Sequence, residues 1–258
     1  MQSHRSPPRE VDPENGSGEP PRSLRTRAGA ALAAAALILL AGCAAAPGRD
    51  PHDPWEALNR KTMAFNDAVD RTGVKPVAKA YVKVVPRFVR ARVTDFFGNV
   101  ADINTGLNDI LQGKLPLAIN DFGRIVVNTT FGVAGLWDVA SRLGVDKRDE
   151  DFGQTLGVWG VPSGPYFVIP FLGPSTARDA PARIVDLSWY YPRVLHNDAV
   201  YWTLWGLESI EQRAQLLKAE SVIEQAAIDR YLFVRDAWLE RRRNQVYDGN
   251  PPPEKDEE

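Results

Sequence analysis

The chain has 258 residues, 44% of them hydrophobic and 25% charged, an ordinary globular composition that suffices for one good core or two small ones. A net charge of −2 lacks the basic footprint of a nucleic-acid binder, so no nucleic-acid partner is expected. The single cysteine, Cys43, excludes an intramolecular disulfide even in an oxidising compartment.

Residues 1–21 are polar, proline-rich and without period, and are set aside from the fold. Arg22, Arg25 and Arg27 precede a 13-residue apolar run, Ala28 to Leu40, and small residues follow. This is the layout of a secretory signal, and the run is too short for a comfortable membrane span. It ends Leu40-Ala41-Gly42-Cys43, which resembles the lipobox of bacterial lipoproteins, where cleavage leaves an acylated cysteine as the first residue. The competing reading is a chance cysteine beside an ordinary cleavage site; position, flanks and uniqueness favour lipidation. Several acyl chains on Cys43 would hold the protein stably on a bilayer. Ala44, where aspartate is absent, resembles lipoproteins sent on to the outer membrane. The chain divides into leader and signal (1–42), tether (43–52), helical domain (53–247) and disordered tail (248–258).

Asp53-Pro54-Trp55-Glu56 carries the signals of a helix start, with a capping aspartate, proline at the first helical position and glutamate three residues after the cap. Trp55, Leu58, Thr62, Phe65 and Val69 continue at helical spacing, and Gly73 is expected to stop the run. From Pro76, Val77, Tyr81, Val84 and Phe88 fall on one helical face and Lys79, Lys83, Arg87 and Arg90 on the other, with no acidic residue between Asp70 and Asp95. Two readings stand: a basic amphipathic helix in the headgroup layer of an anionic membrane, or a surface helix packed on its own core with a solvated basic back. Pro86 kinks or restarts the helix.

The apolar stripe resumes at Val93, Phe96, Phe97, Val100, Ile103, Leu107, Ile110 and Leu111 and ends at Gly113. Asn99, Asn104 and Asn108 flank it, either as hydrogen bonds between helices, the commoner use, or as the polar wall of a passage. Pro116 opens another helix with Ile119, Phe122, Ile125 and Val126 inward, followed by a short helical turn from Gly135 to Leu143. The charge cluster Asp146 to Asp151 lacks calcium-loop spacing and is read as a solvated face. Phe152, Leu156 and Trp159 suggest a short helix after it.

Gly153 to Asp179 holds five glycines and four prolines yet is rich in Trp, Tyr, Phe, Val and Ile. Neither a regular helix nor a central strand is expected to persist from Gly160 to Pro174. Irregular backbone with an apolar coat is tolerated at membrane depth only where protein encloses it or water fills a cavity beside it. The segment is therefore read as a hairpin lining an opening, with Gly160, Gly164, Tyr166, Phe167, Ile169, Phe171 and Gly173 as candidate site residues. Ser175 or Thr176 caps a helix toward Leu187. Trp189, Tyr190, Tyr191, Tyr201, Trp202 and Trp205 then crowd six aromatics into 17 residues, suited to a water–lipid boundary or to a plain aromatic core. Helical period continues through Leu207, Ile210 and Ala214, and a last helix carries Tyr231, Trp238 and Leu239 on one side and Arg241 to Arg243 near its end.

The pattern is mainly α, a single bundle of amphipathic helices with an irregular Gly/Pro-rich hairpin. Catalytic signals are weak. Of three histidines, His4 and His52 lie in leader and tether, and His196 precedes a helix-start signal. Ser163 in Gly160-Val-Pro-Ser-Gly164 misses a nucleophile elbow because Val161 stands where the first glycine must be. No zinc-type cluster or phosphate-cradling loop appears, so no metal or cofactor is expected.

The lipobox, the stretch Asn59-Arg-Lys-Thr-Met-Ala-Phe-Asn66 and the long motif Gly164-Pro-Tyr-Phe-Val-Ile-Pro-Phe-Leu-Gly-Pro-Ser-Thr-Ala-Arg-Asp179 together resemble the VacJ, or MlaA, lipoprotein family over about residues 53–247. The resemblance implies a nearly all-helical ring in the periplasmic leaflet of the outer membrane. Its channel would take mislocalised phospholipid from the outer leaflet and hand it to a periplasmic carrier, in association with a trimeric porin. On this reading the basic helix and aromatic cluster meet headgroups, and the hairpin walls or gates the channel, flexing at Gly160 and Gly164. Two rivals are a structural lipoprotein that only docks on a porin and a lipid-acting esterase.

Overall fold

Trp55 begins the first helical period, as its spacing predicts, but Asp53 does not cap that helix. The computed structural model describes residue 50, residues 52–190 and residues 197–253. Cys43, the leader, Tyr191, His196 and the last residues of the tail lie outside them. Helix α1 spans Glu56–Val69 and has no side-chain cap. Asp53 is instead buried, and its carboxylate accepts from Asn59 Nδ2 at 2.8 Å and Tyr231 Oη at 2.5 Å. A buried tertiary partner outweighs the local capping bond.

Gly73 does not stop the helix either. Asp70–Val74 form one π turn that passes straight into α2, Lys75–Val84. Arg213 forks onto Asp70 at 2.7 Å through both Nε and Nη2, and Lys75 pairs with Glu220 at 3.0 Å. Pro86 separates α2 from α3, Arg87–Leu111, because Val85 and Pro86 adopt extended backbone. Gly113, at φ +76°, ends α3 with backbone bonds from Gly113 N to Ile110 O and from Lys114 N to Asp109 O. Then come α4, Leu115–Thr130, the short α5, Val139–Arg142, and α6, Phe152–Val158, capped by the Asp151 carboxylate.

The segment expected to be irregular forms a two-stranded antiparallel hairpin, β1 Tyr166–Ile169 and β2 Gly173–Thr176. Tyr166 faces Thr176 and Ile169 faces Gly173 across it. Pro174 is tolerated because β2 is an edge strand, and the turn uses positive φ at Phe171 and Gly173. The remaining helices are α7, Asp179–Tyr190, α8, Asp198–Ala226, and α9, Arg230–Val246. Thr176 Oγ1 accepts from Asp179 N at 3.2 Å, so the expected cap on α7 is made.

Neighbouring elements close into a circuit: α1 packs on β1, β2 on α7, α7 on α3, α3 on α8, α8 on α2, and the π turn joins α2 to α1. Helix α4 lies along α3, and α6 bridges α3, α7 and α9. The architecture is mainly helical, as expected. Its apolar core is small, with Tyr166, Val168 and Tyr231 packed by Met63, Leu232, Trp238 and Leu239. Of the described residues, none lies in a helix long and apolar enough to cross a membrane.

Candidate functional site

Helix α4 turns a polar face inward beside the expected one: of the four residues expected inside, Phe122 and Ile125 are half-buried, Phe122 against Gly106 of α3, and Ile119 and Val126 are not. Ala118, Asp121, Arg124 and Asn128 recur three and four residues apart and are buried, while Ile119 is 71% and Val126 64% exposed. Its partner α3 buries Asn99, Asp102, Asn104, Asn108 and Asp109 along with Phe97. Among the described residues, buried polar and charged side chains outnumber buried apolar ones two to one. Large apolar side chains such as Phe131, Leu143, Ile184 and Leu216 stand outside. Water does not favour this arrangement, because apolar burial drives folding in water and lone buried charges cost several kcal/mol, on the order of the whole stability of a domain. An apolar surrounding removes the reason to hide the apolar faces and forces the charges to pair inside.

Three arginines organise that interior. Arg124, 1% exposed, bonds Asp102 at 3.1 Å, both Asp138 oxygens at 3.1 Å and Ser141 Oγ at 3.0 Å. Burial pushes the Asp138 carboxyl up, but Ser141 and Arg124 outweigh it and hold it at about 2. Arg148 bridges Asp109 and Asp121, two fully buried carboxylates, through a single nitrogen. Burial, then the hydrogen bond to Asp109, pushes Asp121 up to about 7 against the pull of Arg148. Arg242 on α9 forks onto two acids, Asp179 at 3.0 and 3.1 Å and Asp151 at 2.5 and 2.6 Å. Gly153 makes room for this fork, since a Cβ there would collide with the guanidinium. The cluster from Asp146 to Asp151 is therefore not a solvated face: Lys147, Arg148, Glu150 and Asp151 all enter this network.

The three candidate asparagines join elements. Asn99 Nδ2 donates to Thr129 Oγ1 at 3.2 Å, Asn104 Nδ2 to Asp186 Oδ1 at 3.1 Å, and Asn108 Oδ1 accepts from Thr155 Oγ1 at 2.8 Å. The Oδ1 atoms of Asn99 and Asn104 are buried without a hydrogen-bond partner among the described residues.

The hairpin candidates separate into three environments. Gly160, at φ +88°, and Gly164, at φ +68°, line an open hollow of about 1120 Å³ between the loop from Gly157 to Gly164 and α9. Arg178, Arg235, Arg242 and Arg243 also line it, with Asp236 and Glu240. A Cβ on Gly164 would meet Ala177 at 2.9 Å, whereas Gly160 has open space. Tyr166 is in the apolar core, and Phe167 stacks edge-on against Trp55 at 6.2 Å. Ile169 and Gly173 pair at the end of the sheet, and Phe171 at the tip is 72% exposed, its ring 5.3 Å from that of Phe65. Ser163 and His52 both line the hollow, with no hydrogen bond between them among the described residues.

Lys79, Lys83 and Arg87 are exposed, and so is the apolar face beside them: Val77, Val84 and Phe88 stand out, and only Ala78 of α2 is buried. Tyr81 of the same face is half-buried with its hydroxyl out of solvent, where α2 packs on α8. Of the described aromatic side chains after α7, Trp202 and Trp205 are exposed and stack edge-on at 5.9 Å.

Sequence reasoning missed a pair of asparagines that serve β1 as a third strand would. Asn59 Nδ2 donates to Tyr166 O at 3.2 Å while its Oδ1 accepts from Val168 N at 3.0 Å. Two turns on, Asn66 Nδ2 donates to Ile169 O at 3.0 Å and its Oδ1 accepts from Phe171 N at 2.8 Å. The seven-residue spacing of Asn59 and Asn66 was visible as one helical face. So was the polar stripe Asp121, Arg124, Asn128.

Comparison with known proteins follows the same lines. The family model described as MlaA lipoprotein matches residues 51–245. An uncharacterized protein of Rickettsia prowazekii is 34% identical over 76% of this chain and 78% of its own length. The intermembrane phospholipid transport system lipoprotein MlaA of Escherichia coli K12 is 36% identical over 79% of this chain and 82% of its own. A solved structure reported under "Structural basis for maintenance of bacterial outer membrane lipid asymmetry" superposes with a TM-score of 0.66 at 31% identity, covering 78% of this chain and all of that one.

Proposed function

The chain belongs to the MlaA lipoprotein family, and we propose that it is an outer-membrane lipoprotein of intermembrane phospholipid transport. On this reading it is anchored through acylated Cys43 in the periplasmic leaflet, removes mislocalised phospholipid from the outer leaflet and passes it to a periplasmic carrier beside a trimeric porin. The observation that carries it is the inversion of α3 and α4: a charge-paired interior and an exterior of bare apolar side chains suit a body sunk in one leaflet. Lys79, Lys83, Arg87 and Arg90 then lie at headgroups, while the exposed Val77, Val84 and Phe88 reach into acyl chains.

The passage itself is assigned to the inside of the closed circuit. Tyr81 on α2 and Glu211 on α8, each with a side-chain oxygen out of solvent, face one another across the α2–α8 contact and supply polar groups to its inner wall. The hairpin is its movable part, hinged at Gly160 and Gly164 and latched on α1 by Asn59 and Asn66. The role is transport, with no catalytic step assigned.

Deletion of the gene is expected to accumulate phospholipid in the outer leaflet, restored by wild type and not by Cys43→Ala. Linking Phe65→Cys to Phe171→Cys with a short thiol crosslinker should stop retrieval without unfolding the protein. Full retrieval after crosslinking would remove the gate from this account.

A further inference from the structure

Arg92 stands on the second turn of α3, six residues after the break at Pro86. Its Nη2 is held by Asp95 Oδ2 at 2.9 Å. Its guanidinium carbon lies 5.0 Å from the centre of the Trp137 ring and 5.4 Å from that of Phe88. Nε and Nη1 are buried and meet no acceptor among the described residues. A permanent cation that keeps two buried donors unmatched is rare, because each unmade bond to a charged group is costly. Rings beside the guanidinium leave donation to its edges, the geometry that suits the oxygens of a phosphate group.

The surroundings select the same chemistry. Lys79, Lys83, Arg87 and Arg90 precede Arg92 with no acidic residue in the sequence after Asp70 until Asp95, so this stretch is basic on its outer side, while the acids Glu208 and Glu211 that α8 brings to α2 and α3 are buried. Val84, Phe88 and Val89 are exposed beside it and offer an apolar bed for chains attached to the anion. Phe88, 63% exposed, lies beside the guanidinium on the solvent side.

We propose that Arg92 is the phosphate-recognising residue for a phospholipid, its Nε and Nη1 donating to the phosphodiester oxygens while the acyl chains lie along Val84 and Phe88. This rests on the transport reading and adds to it a named headgroup contact. The exposed lysines attract the lipid; Arg92 selects the phosphate.

The test is calorimetric titration of the full chain in detergent micelles with dihexanoyl phosphatidylglycerol, dihexanoyl glycerol and inorganic phosphate. The phospholipid should bind at least about ten-fold more tightly than either of the other two, since only it combines charged hydrogen bonds with apolar contact. Arg92→Gln should weaken phospholipid binding about ten-fold or more, and Arg92→Lys, which keeps the charge and loses the planar fork, several-fold. Arg241→Gln, which removes an exposed cation on α9, should change it by less than about three-fold. Inorganic phosphate binding as tightly as the lipid would reassign Arg92 to free phosphate and overturn the lipid assignment. Phospholipid binding by Arg92→Lys equal to wild type, with helicity unchanged, would overturn the site, and this variant decides should Arg92→Gln fail to fold. Retrieval in the deletion strain separates the two levels: full rescue by Arg92→Gln rejects the headgroup contact alone, whereas no rescue by wild type rejects transport.

Discussion

Helices α4 and α9 are of similar length, and they differ in what they bury. Helix α4 hides Asp121, Arg124 and Asn128 and shows Ile119 and Val126 outside; α9 hides Tyr231 and Val246, packs Trp238 and Leu239 against the core and buries one charge, Arg242, while Arg241 is exposed. The polar outer side of α9 beside the arginine-lined hollow suits water, and the outer side of α4 suits lipid chains. On the proposed seating in one leaflet, each helix follows the medium beside it, and the boundary between the two patterns would trace where the bilayer surface meets the protein.

The strongest attempt to break that contrast is to remove a buried arginine. Arg124→Ala leaves Asp102 and Asp138 without their shared cation and should cost about 3–5 kcal/mol, read as thermal unfolding in micelles. Arg241→Ala on the outer side of α9 should stay within about 0.5 kcal/mol, and equal effects would dissolve the distinction.

Next in size is Asn59→Ala, which strips partners from Tyr166 O and Val168 N and should cost about 2–3 kcal/mol. Asn66→Ala frees the tip, costing about 1 kcal/mol and speeding hydrogen exchange at the Phe171 amide.

The pH response sharpens the picture of the α3–α4 interior. Asp121 has its folded pKa raised to about 7 from 3.8, so between those values the folded chain binds more protons than the unfolded one. Its contribution to stability is full below about pH 4 and is lost as pH rises toward 7. Asp138, held at about 2, acts in the other direction and only in stronger acid. Asp121→Asn should flatten the loss between pH 4.5 and 7.5, and an unchanged slope would assign it to another group.

Smallest in stability are Ile119→Ser and Phe131→Ser, expected within about 0.5 kcal/mol in micelles. Their effect should appear in vesicle partitioning, weakened about ten-fold for each lost contact with lipid chains. Stability loss without loss of partitioning would show that these faces meet protein.

Helical spacing revealed the helices, the restart at Pro86 and the end of α3 at Gly113, and it oriented α9 correctly. It could not orient α4, because a period names two faces and only the surrounding medium decides which one is hidden. The hairpin was legible but its paired strands were not, because glycines and prolines mask strand pattern and its outer edge is satisfied by asparagines from a helix instead of by another strand. The arginine hubs escaped notice because their acids lie 14 to 91 residues away, a separation that only the folded chain brings together.

The π turn at Asp70–Val74 sets the rotational phase between two stretches of one rod. Upstream of it Asn59 and Asn66 point at the hairpin; downstream Ala78 points at α8. The turn takes up one residue more than an α-helix needs for the same rotation, so deleting Gly73 would restore α winding and leave Ala78 and the basic side chains where they are. Winding all the same residues as α-helix would instead swing everything after it by about 100°, taking Ala78 from its seat and the basic side chains with it.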